Sequence, residues 1–424
     1  MKPSGIEWIG DIPDDWEVRR LKGLGEQTIG LTYSPQDITD NSGTLVLRSS
    51  NIQNGKLVLD RDDNVYVSID VENKILKDED ILICSRNGSR NLVGKTAFVI
   101  TYGKKLSYGA FTTIFRSKYN KFLFYVFNAG VFEYHLASYN TSTIYQLTTS
   151  MLNEIRVPFP PVKTQQKIAD YLDEKCGEID ATIAKQKESI EKLKAYKQSL
   201  ISETVTKGLD KSAPLKPSGI DYLGDIPSHW EIRKLKYVAK LDPTISEFLS
   251  DNDIVSFAPM ECLGEQTLSP YETEYGKVKG KYTYFANEDI IMAKVTPCFE
   301  NGNIAIAKNL KNNVGFGSSE LFVFRAKNIS NSFLMYSLYS EPFKSLAKST
   351  MYGTGGLKRV SPNFILNYKI PLPPLKTQES IANYLDSKCS QIDKYITEKQ
   401  NIIQKLDAYK KSLTFECVTG KQKI

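Results

Sequence analysis

Histidine is nearly absent: the 424 residues contain only His135 and His229. Histidine-based triads and histidine-built zinc sites are therefore poorly supplied. The six cysteines, Cys84, Cys176, Cys262, Cys298, Cys389 and Cys417, include no CxxC pair, so zinc-ligand spacing is missing as well. They read as small buried hydrophobes in a reducing compartment. No stretch approaches the ~18 apolar residues of a membrane helix. The opening MKPSGIEWIGDIP lacks the apolar core of a secretory signal, so a cytoplasmic protein with no membrane contact is expected. Neither sign of charge dominates. Lys and Arg number 55 against 49 Asp and Glu, and the resulting +6 permits an anionic partner without demanding one.

Catalytic signatures are missing too. No GxGxxG follows a strand-like run. Gly94-Lys95-Thr96 resembles the end of a P-loop, but the spacing GxxxxGK puts Ser89 where the first glycine belongs, and Gly88 is one residue out. Amino-methyltransferases hold a flipped base with an Asn/Asp-Pro-Pro-aromatic loop. Here the proline pairs stand in PFPPV and PLPPL with no acid or amide before them. Asp60, Asp62, Asp63 and Glu72 could imitate a Mg²⁺-binding nuclease cluster, at a spacing common residues reach by chance. His229 aligns with Asp15 between two repeated segments, which argues against an essential role there.

What is present is duplication. Residues 2–22 and 216–236 share 14 of 21 positions at an offset of 214, including Trp16 and Trp230. Residues 158–207 and 371–420 share 27 of 50 at an offset of 213. Between these repeats lie two inserts, about 25–157 and 239–370, without convincing similarity to each other. A repeated frame around two different inserts suggests a pseudo-two-fold molecule. A solenoid would need three or more similar units.

The second repeat opens on Pro158, Pro160 and Pro161, which favour extended backbone, and Thr164 then stands at an N-cap position. Heptads follow. Ala169, Cys176, Ile183, Ile190 and Lys197 occupy one core position; Leu172, Ile179, Gln186, Leu193 and Leu200 occupy the other. The partner copy repeats them as Ala382, Cys389, Ile396, Ile403 and Lys410 with Leu385, Ile392, Lys399, Leu406 and Leu413. Helices of ~40 residues would span ~60 Å. Such a seam needs cover, either from the other helix, antiparallel by the pseudo-two-fold, or from each helix's own domain. Gln186 and Lys399 interrupt the same seam position and are expected to fix register.

The inserts read as mixed α and β. LVLRSS, KLVLD, NVYVSI, DILICS and KTAFVI are strand-like in the first; DIVSFAPM, YTYF, DIIMAKV, NIAIAK and LFVFRA in the second. Helical stretches close each insert, FLFYVFNAGVFEYHLAS and SFLMYSLYSEPFKSLAKS. The expected fold is α+β, with two globular mixed α/β domains joined by two long antiparallel coiled-coil helices. The domains are 1–160 and 209–373, and the helices 161–208 and 374–424.

Polar loops carry groups suited to nucleic acid. Arg86, Asn87, Ser89 and Arg90, with Lys95 close behind, follow a strand-like run. Arginine pairs with guanine, asparagine with adenine, and serine with phosphate. Lys294, Thr296 and Asn301 hold the comparable place in the second insert. Gly315–Glu320, with Ser318 and Ser319, and Gly353–Arg359, with Lys358 and Arg359, read as further glycine-rich polar loops. Thr141 and Ser142 precede the proline cluster of the first insert, as the latter loop does in the second.

Taken together, the chain resembles the specificity (S) subunit of type I restriction–modification systems over essentially its whole length. The duplicated SGIxxxGxIPxxW and PxPPxxxQxxIAxYLD carry the resemblance, with the paired SL..E.VT ends, DIIMAKVTPCFENGN and GTGGLKRVSP. It implies that each insert is a target recognition domain reading one half of a split, asymmetric site in double-stranded DNA. The two helices would be spacers that set the gap. Two modification subunits and two restriction subunits would dock on the frame. S-adenosylmethionine, ATP and Mg²⁺ would belong to those partners, leaving this chain non-catalytic and without a cofactor. The competing readings are a coiled-coil scaffold that reads no DNA and a single-chain DNA-modifying enzyme.

Overall fold

The computed structural model describes residues 1–137, 145–245, 248–354 and 356–424. The chain divides into two compact units, residues 1–186 with 400–424, and residues 187–399.

In the first unit the repeated segments bring the two ends of the insert together. Glu17–Arg20 pairs antiparallel with Arg156–Phe159, so Val18 faces Pro158. A two-stranded ribbon tolerates proline because only one edge needs donors. Trp16 behind this ribbon is buried.

The insert contains two four-stranded sheets. One runs Thr96–Phe98, Ile81–Cys84, Thr112–Arg116, Glu26–Ile29, all antiparallel. The other runs Leu106–Tyr108, Thr44–Leu47, Val65–Val67, Ile38–Thr39, its first pair parallel. Side chains alternate along a strand. Ile81 and Ile83 therefore enter one core, while Leu82 and Cys84 enter the core between the sheets. Over the first face lie the helices Asn120–Val126 and Phe132–Ala137, joined through a kink at Gly130, whose φ is +90°. Phe122 and Phe132 of these helices, with Phe127 between them, share a core with Leu172, Cys176 and Ile183 of the first long helix and with Leu413 and Cys417 of the second.

The second unit repeats this plan. Its sheets run Ala239–Leu241, Leu321–Ala326, Ile290–Ala293, Ile304–Ile306, and Tyr271–Glu274, Ile254–Ala258, Val314–Gly317, Thr283–Ala286. Ile254–Ala258 and Val314–Gly317 form the parallel pair. The strand Thr283–Ala286 has its counterpart in the first unit as a single bridge, Ile75 to Ser107. Helices Asn331–Tyr339 and Glu341–Ser349 cover the face, separated where Ser340 precedes Glu341 and Pro342. Polar anchors match as well. Arg116 grips Asp80 with two hydrogen bonds, and Arg325 grips Asp289 likewise. The Tyr125 hydroxyl donates to Asp173, and Tyr336 to Asp386. The two inserts thus share one fold with little shared sequence.

The long helices are Val162–Lys207 and Leu375–Val418. Within each unit they run antiparallel. In the first, Cys176 meets Thr414 and Asp180 meets Lys410; in the second, Lys197 meets Asp393. Both kinds of cover foreseen for the seam occur together, since each unit's core takes residues from its insert and from both helices. Leu172, Ile179, Ile183, Ile190, Leu385, Ile392 and Leu413 are buried; Leu193, Leu200, Ile396, Ile403 and Leu406 are half-buried. Gln186 and Lys399 are also half-buried.

Each long helix stops at a glycine in the left-handed region, Gly208 with φ +76° and Gly420 with φ +73°. Each glycine lies against the opening motif of its own unit, Gly208 on Trp230 and Gly420 on Pro13 and Trp16. Among the described residues no helix is long and apolar enough to cross a membrane.

One difference separates the units beside the helix pair. In the second, the hairpin turn after Leu263 carries Glu265, which accepts hydrogen bonds from Lys197 at 3.0 Å and Tyr339 at 2.5 Å. Asn54 and Asn128 stand at the matching positions of the first unit. Asn54 and Gly55 both have positive φ there, and a groove of about 620 Å³ opens between the hairpin, Tyr102, Asp173 and Lys410.

Candidate nucleic-acid interface

In both units a fully buried strand runs out into a polar loop at one edge of the sheet. Ile81–Cys84 is followed by Arg86–Asn87, which pairs with Tyr145–Gln146. Ile290–Ala293 is followed by Lys294 and Val295, and Val295 bridges Arg359. The two loops therefore leave strands that pair alike in their sheets.

In the first unit Asn87 shapes its own loop. Its side chain donates to the Ser49 hydroxyl at 3.3 Å and accepts from the Ser89 amide at 3.0 Å. Ser89, Arg90 and Lys95 are exposed. The Arg86 guanidinium lies 5.4 Å from the centroid of the Phe111 ring, a cation–π placement. Among the described residues no ion pair holds Arg86. Thr141 and Ser142 lie outside the described residues. Lys95, in the P-loop-like stretch, precedes the strand Thr96–Phe98 where a P-loop would begin a helix.

In the second unit the loops after residues 293 and 353 meet. The Thr296 hydroxyl donates to the Gly356 carbonyl at 2.7 Å and accepts from the Lys358 amide at 2.9 Å. Arg359 donates twice to Glu320, at 2.8 and 2.7 Å. These hydrogen bonds hold the Glu320 carboxyl below the usual carboxylate range. The Lys294 ammonium stands 5.6 Å from the centre of the Phe322 ring. Ser318 is half-buried and its hydroxyl accepts from the Glu320 amide at 3.2 Å. Lys358 and Ser319 are exposed, and Asn301 is exposed in the turn after Pro297. The structure thus gathers Lys294, Thr296, Ser318, Lys358 and Arg359 at one edge.

One loop reading is corrected. Val314–Gly317 is a buried strand, and only 318–320 form the turn. Its glycines answer packing, because a Cβ on Gly315 would lie 2.2 Å from the Phe285 ring.

Two more residues stand at this edge: Phe111, which the sequence reading did not mention, and Glu320, which it placed in a polar loop without a role. The turn before Thr112–Arg116 ends in Phe111, and the turn before Leu321–Ala326 ends in Glu320. The Ser85 amide donates to the Phe111 carbonyl at 3.0 Å, and the Lys294 amide to the Glu320 carbonyl at 3.0 Å. One backbone position therefore carries an aromatic ring in one unit and a carboxylate in the other. The arginine beside each was visible in the sequence, but its meeting with the turn was not.

Among the described residues no three His, Cys, Asp or Glu side chains come together to hold a metal ion. Cys84, under the edge, is buried, and burial pushes its thiol up to about 11.

The family described as the type I restriction modification DNA specificity domain matches residues 13–194 and 227–408. The chain belongs to this family. Its two matched stretches each take in an insert and much of the helix that follows. The EcoEI specificity subunit of Escherichia coli is 35% identical over 193 residues, covering 44% of this chain and 31% of that protein's length. The MjaVIII specificity subunit of Methanocaldococcus jannaschii is 25% identical over 436 residues, covering 97% of this chain and 94% of the relative. A solved chain from a study of complex assembly and conformational transition of the type I R-M system superposes with a TM-score of 0.70 at 16% identity, covering 97% of this chain and all of that one. At that identity the likeness concerns the fold.

Proposed function

We propose that this chain is the DNA-reading subunit of a type I restriction–modification complex. It reads a bipartite, asymmetric site and directs adenine methylation and restriction carried out by other subunits. The observation that carries this reading is one scaffold built twice with different residues at the same edge. Arg86 and Phe111 stand in one unit where Val295 and Glu320 stand in the other. Two like frames presenting unlike edges suit two unlike half-sites.

In this reading residues 1–160 and 209–373 are the two recognition domains, and 161–208 and 374–424 are spacers that fix the gap. Arg86, Asn87, Ser89, Arg90, Lys95, Thr141 and Ser142 serve the first half-site. Lys294, Thr296, Asn301, Ser318, Ser319, Lys358 and Arg359 serve the second. Base edges are read by Arg, and phosphates by Lys, Ser and backbone amides. The chain carries no catalysis. Two methyltransferase subunits bring S-adenosylmethionine, and two motor-nuclease subunits bring ATP and Mg²⁺, in the cytoplasm. Membership in the specificity-domain family supports this division of labour.

The test is a map of methylated adenines across the genome of a host holding this chain and its neighbouring methyltransferase, with and without this chain. A split motif of fixed gap that disappears on deletion is the expected result. An unchanged methylation pattern would overturn the reading.

A further inference from the structure

Phe111 is 60% exposed, yet its backbone carbonyl is anchored. The Phe111 carbonyl accepts from the Ser85 amide at 3.0 Å, the Arg86 amide at 3.1 Å and the Ser85 hydroxyl at 3.2 Å. The turn is tight, with the Thr112 amide donating to the Gly109 carbonyl at 2.8 Å. An exposed apolar ring thus stands on an anchored turn, with a guanidinium 5.4 Å from its centroid. A single exposed apolar side chain is ordinary on any protein surface. This one differs in having an anchored backbone and a cation over its ring.

We infer that Phe111 and Arg86 form one reading element in double-stranded DNA, the Phe111 ring covering the C5 methyl of a thymine in the major groove while Arg86 takes the base next to it. The inference rests on the DNA-reading role proposed above. Thymine's methyl is the one apolar group a base pair presents in that groove, and phenylalanine is among the side chains that contact it. Arginine favours the neighbouring guanine, whose two acceptors match its fork. The ring also limits the rotamers of Arg86, so the guanidinium is placed before DNA arrives. The matching turn of the second unit supports the assignment. Glu320 occupies the same backbone position and also engages an arginine, Arg359. This turn position therefore sets the chemistry offered to DNA in each half: apolar in the first, acidic in the second.

The experiment uses the chain assembled with its methyltransferase subunits and duplexes carrying the mapped site. Each thymine of either half-site is replaced in turn by deoxyuridine, which removes only the C5 methyl. At one thymine the unaltered protein should lose about fourfold in affinity, the worth of one methyl group taken from water. Phe111→Ala should bind the unmodified duplex about tenfold more weakly, since most of an aromatic contact is gone, and should no longer distinguish deoxyuridine there. Phe111→Leu, which keeps an apolar cover, should restore part of the discrimination. Melting temperatures of the variants should match the parent, because the ring is exposed. The inference falls if Phe111→Ala still discriminates, or if no thymine methyl matters. If Arg86→Ala relaxes one half-site while Phe111→Ala does not, the reading element is wrong and the DNA-reading role stands. A complex with no sequence preference would overturn the role itself.

Discussion

The Lys197 ammonium lies 2.9 Å from both carboxylate oxygens of Asp393. Its repeat-mate Lys410 lies 2.6 and 2.8 Å from those of Asp180. Both lysines occupy apolar positions of the heptad pattern, and each finds its acid on the other helix. A lysine at such a position specifies pairing at a cost in stability. The Lys197 side chain is 6% exposed and that of Lys410 28%. Lys197→Gln should therefore destabilise its unit by about 1–3 kcal/mol, less than a fully buried pair because Asp393 is half-exposed. Lys410→Gln should cost about 1 kcal/mol or less. Hydrogen exchange followed peptide by peptide keeps the two units apart, where one unfolding curve would merge them. Equal losses would contradict this ranking.

Acid should loosen the second unit at the hairpin of Glu265. Burial raises the pKa of this carboxyl, but hydrogen bonds from Tyr339 and Lys197 outweigh it, and the pKa lies below the ordinary value. A carboxyl depressed on folding adds stability above its unfolded pKa, ~4.3, and loses it as pH falls through the folded value. Exchange protection around residues 263–268 should drop across that acid window, and Glu265→Gln should flatten the drop. Lys197 has the opposite sign. Burial lowers its pKa, the bonds to Asp393 and Glu265 raise it by more, and the net shift is upward. Its contribution is complete below the unfolded lysine pKa and is lost as pH rises through the folded one.

Arg86→Ala should relax the base preference of one half-site and Arg359→Ala that of the other, each by about 1–3 kcal/mol at the base concerned. Methylation mapping of each variant reads both halves at once. Lys358→Ala should weaken binding across all sequences and reduce the salt dependence by about one phosphate contact. If Arg86→Ala and Arg359→Ala disturbed the same half, the division of loops between half-sites would be wrong.

The helix-ending glycines differ in tolerance. Any Cβ at Gly208 or Gly420 meets the cost of left-handed backbone, about 1–2 kcal/mol. At Gly208 the methyl would also lie 3.0 Å from the Trp230 ring, and at Gly420 it would lie 2.3 Å from Pro13. Gly420→Ala should therefore be the more damaging, with a larger fall in melting temperature and a change in tryptophan fluorescence from Trp16.

Thiol labelling at pH 8 should reach Cys262 and Cys298, both half-buried. Cys84, Cys176, Cys389 and Cys417 are buried. Burial pushes Cys389 up to about 11 and Cys417 up to about 12. Labelling of these four in the folded protein would show that the cores open.

The long helices were legible because a heptad repeat states its period many times over, and two copies state it twice. The kinship of the inserts was not. A buried strand such as Ile81–Cys84 needs only apolar character, and Ile290–Ala293 meets that need with other residues. Thr112–Arg116 and Leu106–Tyr108 went unread because they are short and carry weak alternation. Phe111 could not be singled out without knowing that a turn delivers it to the edge, and Glu320, already read as part of a loop, could not be matched to it without the pairing of the strands. Lys197 and Lys410 stood in plain view in the heptads, but their acids could be named only once the register of the two helices was known.

The first unit closes its core with Leu413, Cys417 and Val418, whereas the second is made of one uninterrupted stretch, 187–399. On the ribosome the order of completion is therefore inverted. Residues 1–186 must wait for residues 400–424, and the loop they close spans the whole of the second unit. Loop-closure entropy rises only slowly with such length, so the burden falls on timing more than on final stability. Until residues near 418 emerge, the apolar face of Leu172, Cys176 and Ile183 lacks part of its cover, and that interval is when a nascent chain of this kind is most open to misassembly.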